Sequence, residues 1–122
     1  MNYRNHSLAS SFRHAFDGII SCIRRERNMK IHLSFTAAVI AAGILFKISA
    51  TEWLVCLVLF GLVMALELVN TAIEEAVDLV TEERKPLAKL AKDSAAGAVL
   101  IAAIMAAAAG LVIFIPKALA LF

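Results

Sequence analysis

Between residues 8 and 25, Phe12, Phe16, Ile19, Ile20 and Ile23 recur at spacings of 4, 3, 1 and 3, while Arg13, His14, Asp17, Ser21, Arg24 and Arg25 fall elsewhere on the helical wheel. This period predicts an amphipathic helix with basic flanks. Such a helix packs on a protein core or lies on a membrane. The rest of the chain offers spans and no soluble core, so the inner membrane surface is the expected seat. Residues 31–48 are apolar apart from His32, Ser34, Thr36 and the terminal Lys47, and a run of about 18 residues is near the lower limit for crossing a hydrocarbon layer of about 30 Å. Ser49 and Glu52 then form an S-x-x-E capping box ahead of Trp53, whose indole suits the membrane interface. From residue 53 to 66 the run WLVCLVLFGLVMAL is unbroken, and ELVNTAIEEAVDLV carries the same helix to residue 80 with no Gly or Pro to stop it. The pattern breaks at TEERK (81–85), and Pro86 is placed to open the next helix, expected over residues 87–115 and closed by Pro116 and Lys117. The expected architecture is an all-α membrane protein with three transmembrane helices plus an N-terminal amphipathic surface helix, one domain over residues 1–122.

Composition sharpens this picture. Of 122 residues 61% are hydrophobic, and the mean hydropathy is +0.83, which excludes an ordinary soluble domain and any Rossmann or barrel fold that needs a large soluble core. The net charge of +2 argues against a nucleic-acid partner. Cys22 and Cys56 have neither CxxC nor metal-finger spacing and read as unpaired thiols. The opening MNYRNHSLASSFRHAF lacks the continuous apolar stretch of a signal peptide. Arg4, Arg13, Arg24, Arg25, Arg27 and Lys30 precede the first span, and Arg84, Lys85, Lys89 and Lys92 follow the second, against Lys47 and Lys117 on the other side. That bias places the N-terminus and the second loop in the cytoplasm, in a multi-pass protein of the plasma membrane.

Glu67, Asn70, Glu74 and Asp78 are separated by 3, 4 and 4 residues and share one helical face about 80° wide. Carboxylates at membrane depth must look into protein or a wet cavity. Counting from Glu52 at about 1.5 Å per residue, Glu67 lies about 8 Å short of the cytoplasmic edge of the bilayer core, with Glu74 near the boundary. The stripe leads from just below the inner leaflet surface to the cytosol, where a lipid hydroxyl and a soluble Mg-bound phosphate compound could meet. Glu74, Glu75 and Asp78 alone would also suit a solvated helix end balancing Arg84 and Lys85. Glu67 and Asn70 stand inside the apolar zone, where solvation explains nothing, although a proton or ion pathway would use similar residues.

Lys92 and Asp93 open the third span at the same level, the Lys a point charge for phosphate and the Asp able to hold it in place or to bond a ligand. Glu26, in RRERNMKIH, reads as part of a solvated basic patch or as a metal ligand. There is no Walker loop and no GxGxxG turn. His6, His14 and His32 have no i,i+4 partner and are read as interface residues away from the stripe, and Ser94 as a residue at the start of a helix. Ala98, Ala102, Ala106 and Gly110 form a small-xxx-small ridge suited to helix association, and the stripe is expected to need cover from another subunit.

The combination of ELVNTAIEEAVDLV, PLAKLAKDSAAGAV, three spans and an amphipathic N-terminal helix resembles the small integral-membrane diacylglycerol kinase family. RERNMKIH, LVNTAIEEAVDLVT and PLAKLAKDSAAGAV look most like its Gram-positive branch, whose members act as undecaprenol kinases. Before Gly18 the resemblance thins, because the enteric type carries a different N-terminal helix. The resemblance implies ATP- and Mg-dependent phosphorylation of a lipid alcohol, undecaprenol ahead of diacylglycerol, in a homotrimer with active sites shared between subunits. By the family pattern Glu67 is the general base, Glu26 and Glu74 hold Mg with the phosphates of ATP, and Asn70, Asp78, Lys92 and Asp93 complete the nucleotide site. The competing class is a small ion or proton channel or transporter subunit.

Overall fold

The computed structural model describes residues 7–122, so the N-terminal Arg4 and His6 lie outside the described residues. Four helices follow one another: α1 (Leu8–Arg25), α2 (Arg27–Phe46), α3 (Ala50–Val80) and α4 (Pro86–Leu119). No strand occurs among the described residues. The last three helices are each long and apolar enough to cross a membrane.

Local chemistry sets the ends. Ser7 caps α1 by accepting the Ser10 N–H at 3.1 Å, and Arg24 and Arg25 occupy its last turn, where cations offset the helix dipole. Glu26 alone separates α1 from α2; its extended backbone (φ −101°, ψ 118°) turns the chain while its N–H still reaches the Cys22 carbonyl at 2.9 Å. The first span helix therefore starts several residues before residue 31. It ends on Lys47 in the left-handed region (φ 52°), with Ile48 N–H on the Gly43 carbonyl and Lys47 N–H on that of Ile44. This paired closure ordinarily takes glycine. Gly43 is needed for a different reason: a Cβ there would stand 2.7 Å from the Trp53 ring and 3.1 Å from Ile48 Cδ1.

The Ser49–Glu52 capping box is formed in both directions, with Ser49 N–H on Glu52 Oε1 at 2.9 Å and Glu52 N–H on Ser49 Oγ at 3.2 Å. Pro86 begins α4 after the break at residues 81–85. The expected stop at residue 115 is overrun, since α4 passes through Pro116 to Leu119. A proline so near a helix end forfeits one bond and few turns follow it; the Ala120 N–H still bonds the Pro116 carbonyl at 3.1 Å.

α3 packs most extensively on α4, with α2 against α3. Ile48, Cys56 and Ile113 form a core at the end of the bundle where α2 meets α3 in sequence, with Val39, Phe46, Trp53, Phe60 and Phe114 around it. Lys117 Nζ donates to Glu52 Oε2 at 2.8 Å and joins the same ends of α3 and α4. At about 1.5 Å per residue, α3 is about 46 Å long and α2 about 30 Å, so α3 runs well past α2 at its other end. The carboxylate stripe occupies that overhang and the turns leading to it. Of the small-residue ridge, Ala102 is buried within the chain and Ala98, Ala106 and Gly110 are half-buried.

Candidate active site

Glu67 and Asn70 are the buried polar residues among those described, at 1% and 6% exposure. One chain covers both, which corrects the expectation that a second subunit must do so; α2 and α4 both pack on α3. Glu67 Oε2 and Asn70 Oδ1 are buried without a hydrogen-bond partner. Both atoms are acceptors less than one helical turn apart, and burying them unpaired costs stability unless a donor arrives. Asn70 uses its Nδ2 to donate to Glu74 Oε1 at 3.3 Å, so the half-buried Glu74 is held on the stripe.

The reading of His32 as an interface residue away from the stripe is overturned. Its Nε2 stands 3.7 Å from Glu67 Oε2, and its side chain is only 20% exposed. A sequence signal existed, because His32 is the sole ionisable residue of the apolar run 31–46 and Glu67 the first after the apolar run 53–66. Two lone ionisable groups at membrane depth find each other.

His32, Glu26 and Glu74 are the titratable groups that bear on Glu67, and Glu26 does so from the bend between α1 and α2. A cavity of about 290 Å³ lies beside it, lined by Gly18, Cys22, Arg25, Glu26, Leu68 and Thr71. Both cysteines are free and buried, and Cys22 Sγ is 3.6 Å from Thr71 Oγ1. Arg25 donates to Glu75 at 3.1 Å and ties the end of α1 to α3.

Lys92 and Asp93 do not pair with each other. Lys92 Nζ donates to Asp78 Oδ1 at 2.6 Å, which links α4 to the last turns of α3, while Asp93 accepts from Lys89 one helical turn earlier. These groups are exposed or half-exposed, in contrast to Glu67. The site therefore has a dry end at Glu67 and Asn70 and a wet, mixed-charge rim at Glu74, Asp78, Lys92 and Asp93. No group of three or more His, Cys, Asp or Glu side chains forms a ready metal cage among the described residues.

An apolar cleft of about 260 Å³ reaches the buried end. Ile31, His32 and Phe35 of α2, Val63 of α3, and Ala106 and Gly110 of α4 are among its walls. Val63 is one turn before Glu67, so the cleft runs from the level of Cys56 and Gly110 up to the neighbourhood of the orphaned oxygen.

A dry acceptor pair beneath a charged rim, on an overhanging membrane helix, suits a lipid headgroup reaction with a charged, water-soluble co-substrate. Comparison with known proteins agrees. The prokaryotic diacylglycerol kinase family model matches residues 13–114. The chain is 48% identical over 107 residues to an undecaprenol kinase of Bacillus subtilis (strain 168), across 88% of this chain and 87% of that protein. It is 44% identical over 116 residues to a diacylglycerol kinase of Synechocystis sp., across 94% of this chain and 66% of that protein. A diacylglycerol kinase of Haemophilus influenzae is 33% identical over 97 residues, 78% of this chain and 80% of its own length. The chain belongs to the prokaryotic diacylglycerol kinase family and is a multi-pass membrane lipid kinase that uses ATP.

Proposed function

We propose that the lipid alcohol is undecaprenol and that Glu67 is the general base. The observation that carries this reading is the pair of buried acceptors, Glu67 Oε2 and Asn70 Oδ1, which lack a donor. An alcohol O–H supplies one. As the hydroxyl oxygen bonds to the γ-phosphorus of ATP, its proton passes to the Glu67 carboxylate; the bond from that phosphorus to the bridging oxygen breaks and ADP leaves. The product is the lipid phosphate. The cleft beginning at His32 is apolar and accepts a hydrocarbon chain while its head stays beside Glu67.

Glu26 and Glu74 are proposed to hold Mg²⁺ together with the phosphates. Mg²⁺ takes one or two carboxylate oxygens, keeps waters and completes its shell with phosphate, which suits two hard oxygen ligands on separate helices better than a closed protein cage. When bound, it neutralises charge on the transferring group. Lys92 faces the same phosphates as a cation that Asp78 holds in place. Asn70 steadies Glu74, and Asp93 orients Lys89 at the rim. The N-terminus is proposed to lie in the cytoplasm, with Leu8, Phe12, Phe16 and Ile20 of α1, all exposed on the chain, set into the inner leaflet. The assembly is proposed to be a homotrimer with shared sites. The open rim leaves room for a neighbour to complete it, and cross-linking in bilayers should stop at three copies.

Purified protein offered undecaprenol or diacylglycerol with Mg-ATP decides the substrate. The expected result is a higher kcat/KM for undecaprenol, in keeping with the 48% identity to the Bacillus subtilis protein. A clear preference for diacylglycerol would reverse the assignment, and the Glu67 chemistry would stand, since both lipids present a hydroxyl at the same depth.

A further inference from the structure

Glu67 is nearly sealed from solvent, yet the structure leaves its Oε2 without a hydrogen bond and sets a single imidazole in front of it. His32 reaches that position from α2, a helix that otherwise offers Glu67 only apolar and hydroxyl side chains from residue 31 to residue 46. At 3.7 Å the contact is about 0.8 Å longer than an ordinary N–H···O bond. Looseness of this kind is common in catalytic pairs before substrate closes the site. His32 also forms part of the wall of the apolar cleft, so a chain lying there presses on the imidazole.

We propose that His32 is a positioning residue for Glu67: its Nε2–H closes onto Oε2 when lipid fills the cleft and holds the carboxylate in the orientation that receives the hydroxyl proton. A carboxylate oxygen has two acceptor sites, so Oε2 accepts from the imidazole on one side and from the alcohol on the other. The imidazole donates through Nε2 and keeps that proton throughout. The same contact couples occupancy of the cleft to readiness of the base, and phosphate transfer to water, which cannot fill the cleft, stays slow. This inference rests on the proposed role of Glu67.

The test compares His32→Gln, which returns an amide N–H at a similar reach, with His32→Leu, which fills the space without a donor, both as full chains in bilayers. His32→Leu should lower kcat for the lipid about tenfold to hundredfold with KM for ATP unchanged, and His32→Gln should recover at least a third of wild-type kcat. A merely space-filling role would make the two variants alike, so a Gln-to-Leu ratio in kcat below three overturns the proposal, whether both are active or both inactive. Nitrogen-15 spectra of the histidine side chains give a readout independent of turnover and of the variants' folding: Glu67→Gln should move the Nε2 resonance of His32 in lipid-loaded protein. An unmoved resonance also overturns the pairing. Full activity in Glu67→Gln would instead remove the base assignment itself, a failure distinct from that of His32.

Discussion

Two glutamates on one helix, Glu52 and Glu67, show how differently the ends of this molecule are built. Glu52, in the first turn of α3, has each oxygen engaged: Oε1 accepts from the Ser49 N–H at 2.9 Å and Oε2 from Lys117 Nζ at 2.8 Å. Around it the chain is closed by a left-handed turn at Lys47, a capping box and an aromatic cluster in which the Phe46 and Phe114 rings lie 6.1 Å apart. Glu67 sits deeper, at 1% exposure, with Oε2 unpartnered and His32 just out of bonding range. A carboxylate whose oxygens are both occupied holds helices together. One that is buried and left short of a donor is costly, and its retention points to a ligand that completes it.

The largest expected effect comes from the deeper of the two. Glu67→Gln preserves shape and removes the base, so turnover with lipid should fall about 10²- to 10⁴-fold. The helices should remain assembled, because the amide is cheaper to bury than a carboxylate. Circular dichroism and thermal unfolding in bilayers would show whether the fold is kept. Turnover within a few-fold of wild type would end the comparison, since Glu67 would then be as structural as Glu52.

Much of how the helices begin and end was legible in the sequence, and the reason is locality. The S-x-x-E signal at Ser49 and Glu52, the break at residues 81–85 and Pro86 at the start of α4 each act within one turn of chain, so their geometry follows from neighbours in sequence. The stripe Glu67, Asn70, Glu74 and Asp78 was legible for the same reason, being one face of one helix. What could not be read depends on how helices meet. Lys92 is adjacent to Asp93 in sequence but bonds Asp78, because the register of α4 on α3 carries it there. His32 and Glu67 are 35 residues apart; as lone ionisable groups of two apolar runs they were open to pairing, but their contact depends on the seating of α2 against α3. The α4 ridge was readable as small, but not which helix it would meet; Ala102 is buried within its own chain. Lys47 took a conformation usually reserved for glycine, and no property of lysine announces that.

At the wet rim the effect should be intermediate. Lys92→Met keeps the aliphatic stem, removes the charge that faces the phosphates and leaves Asp78 without its partner. KM for ATP should rise about tenfold, with a smaller change in kcat, as expected where a point charge binds ground state and transition state alike. Steady-state kinetics over a range of ATP concentrations measure this. A collapse of kcat with KM unchanged would move Lys92 from the rim to the reacting centre.

A substitution in the core around Trp53 and Ile48 should separate stability from chemistry. Gly43→Leu drives a side chain into the Trp53 ring, already 2.7 Å from where a Cβ would stand, and should cost about 1–3 kcal/mol through overpacking. The loss should appear as a lower thermal midpoint in bilayers, while kcat per folded molecule stays near wild type. If Gly43→Leu instead lowers kcat with no change in midpoint, the two ends of α3 are coupled more tightly than their separate packing suggests.

The smallest effect is expected from the same chemical change made at the other glutamate. Glu52→Gln retains its one oxygen for the Ser49 N–H, since capping boxes take Gln as well as Glu, and gives up the bond from Lys117, because the amide nitrogen cannot accept. The charge and the Lys117 bond are lost, at the end of the bundle away from Glu67, where neither touches the reacting groups. Lipid kinase activity should be unchanged and the thermal midpoint only slightly lower. The two Glu→Gln variants, assayed side by side, differ in nothing but the environment of one carboxylate. A large loss in Glu67→Gln beside none in Glu52→Gln assigns the chemistry to burial and an unfilled acceptor, and equal losses would mean that any charge removed from α3 disables the enzyme.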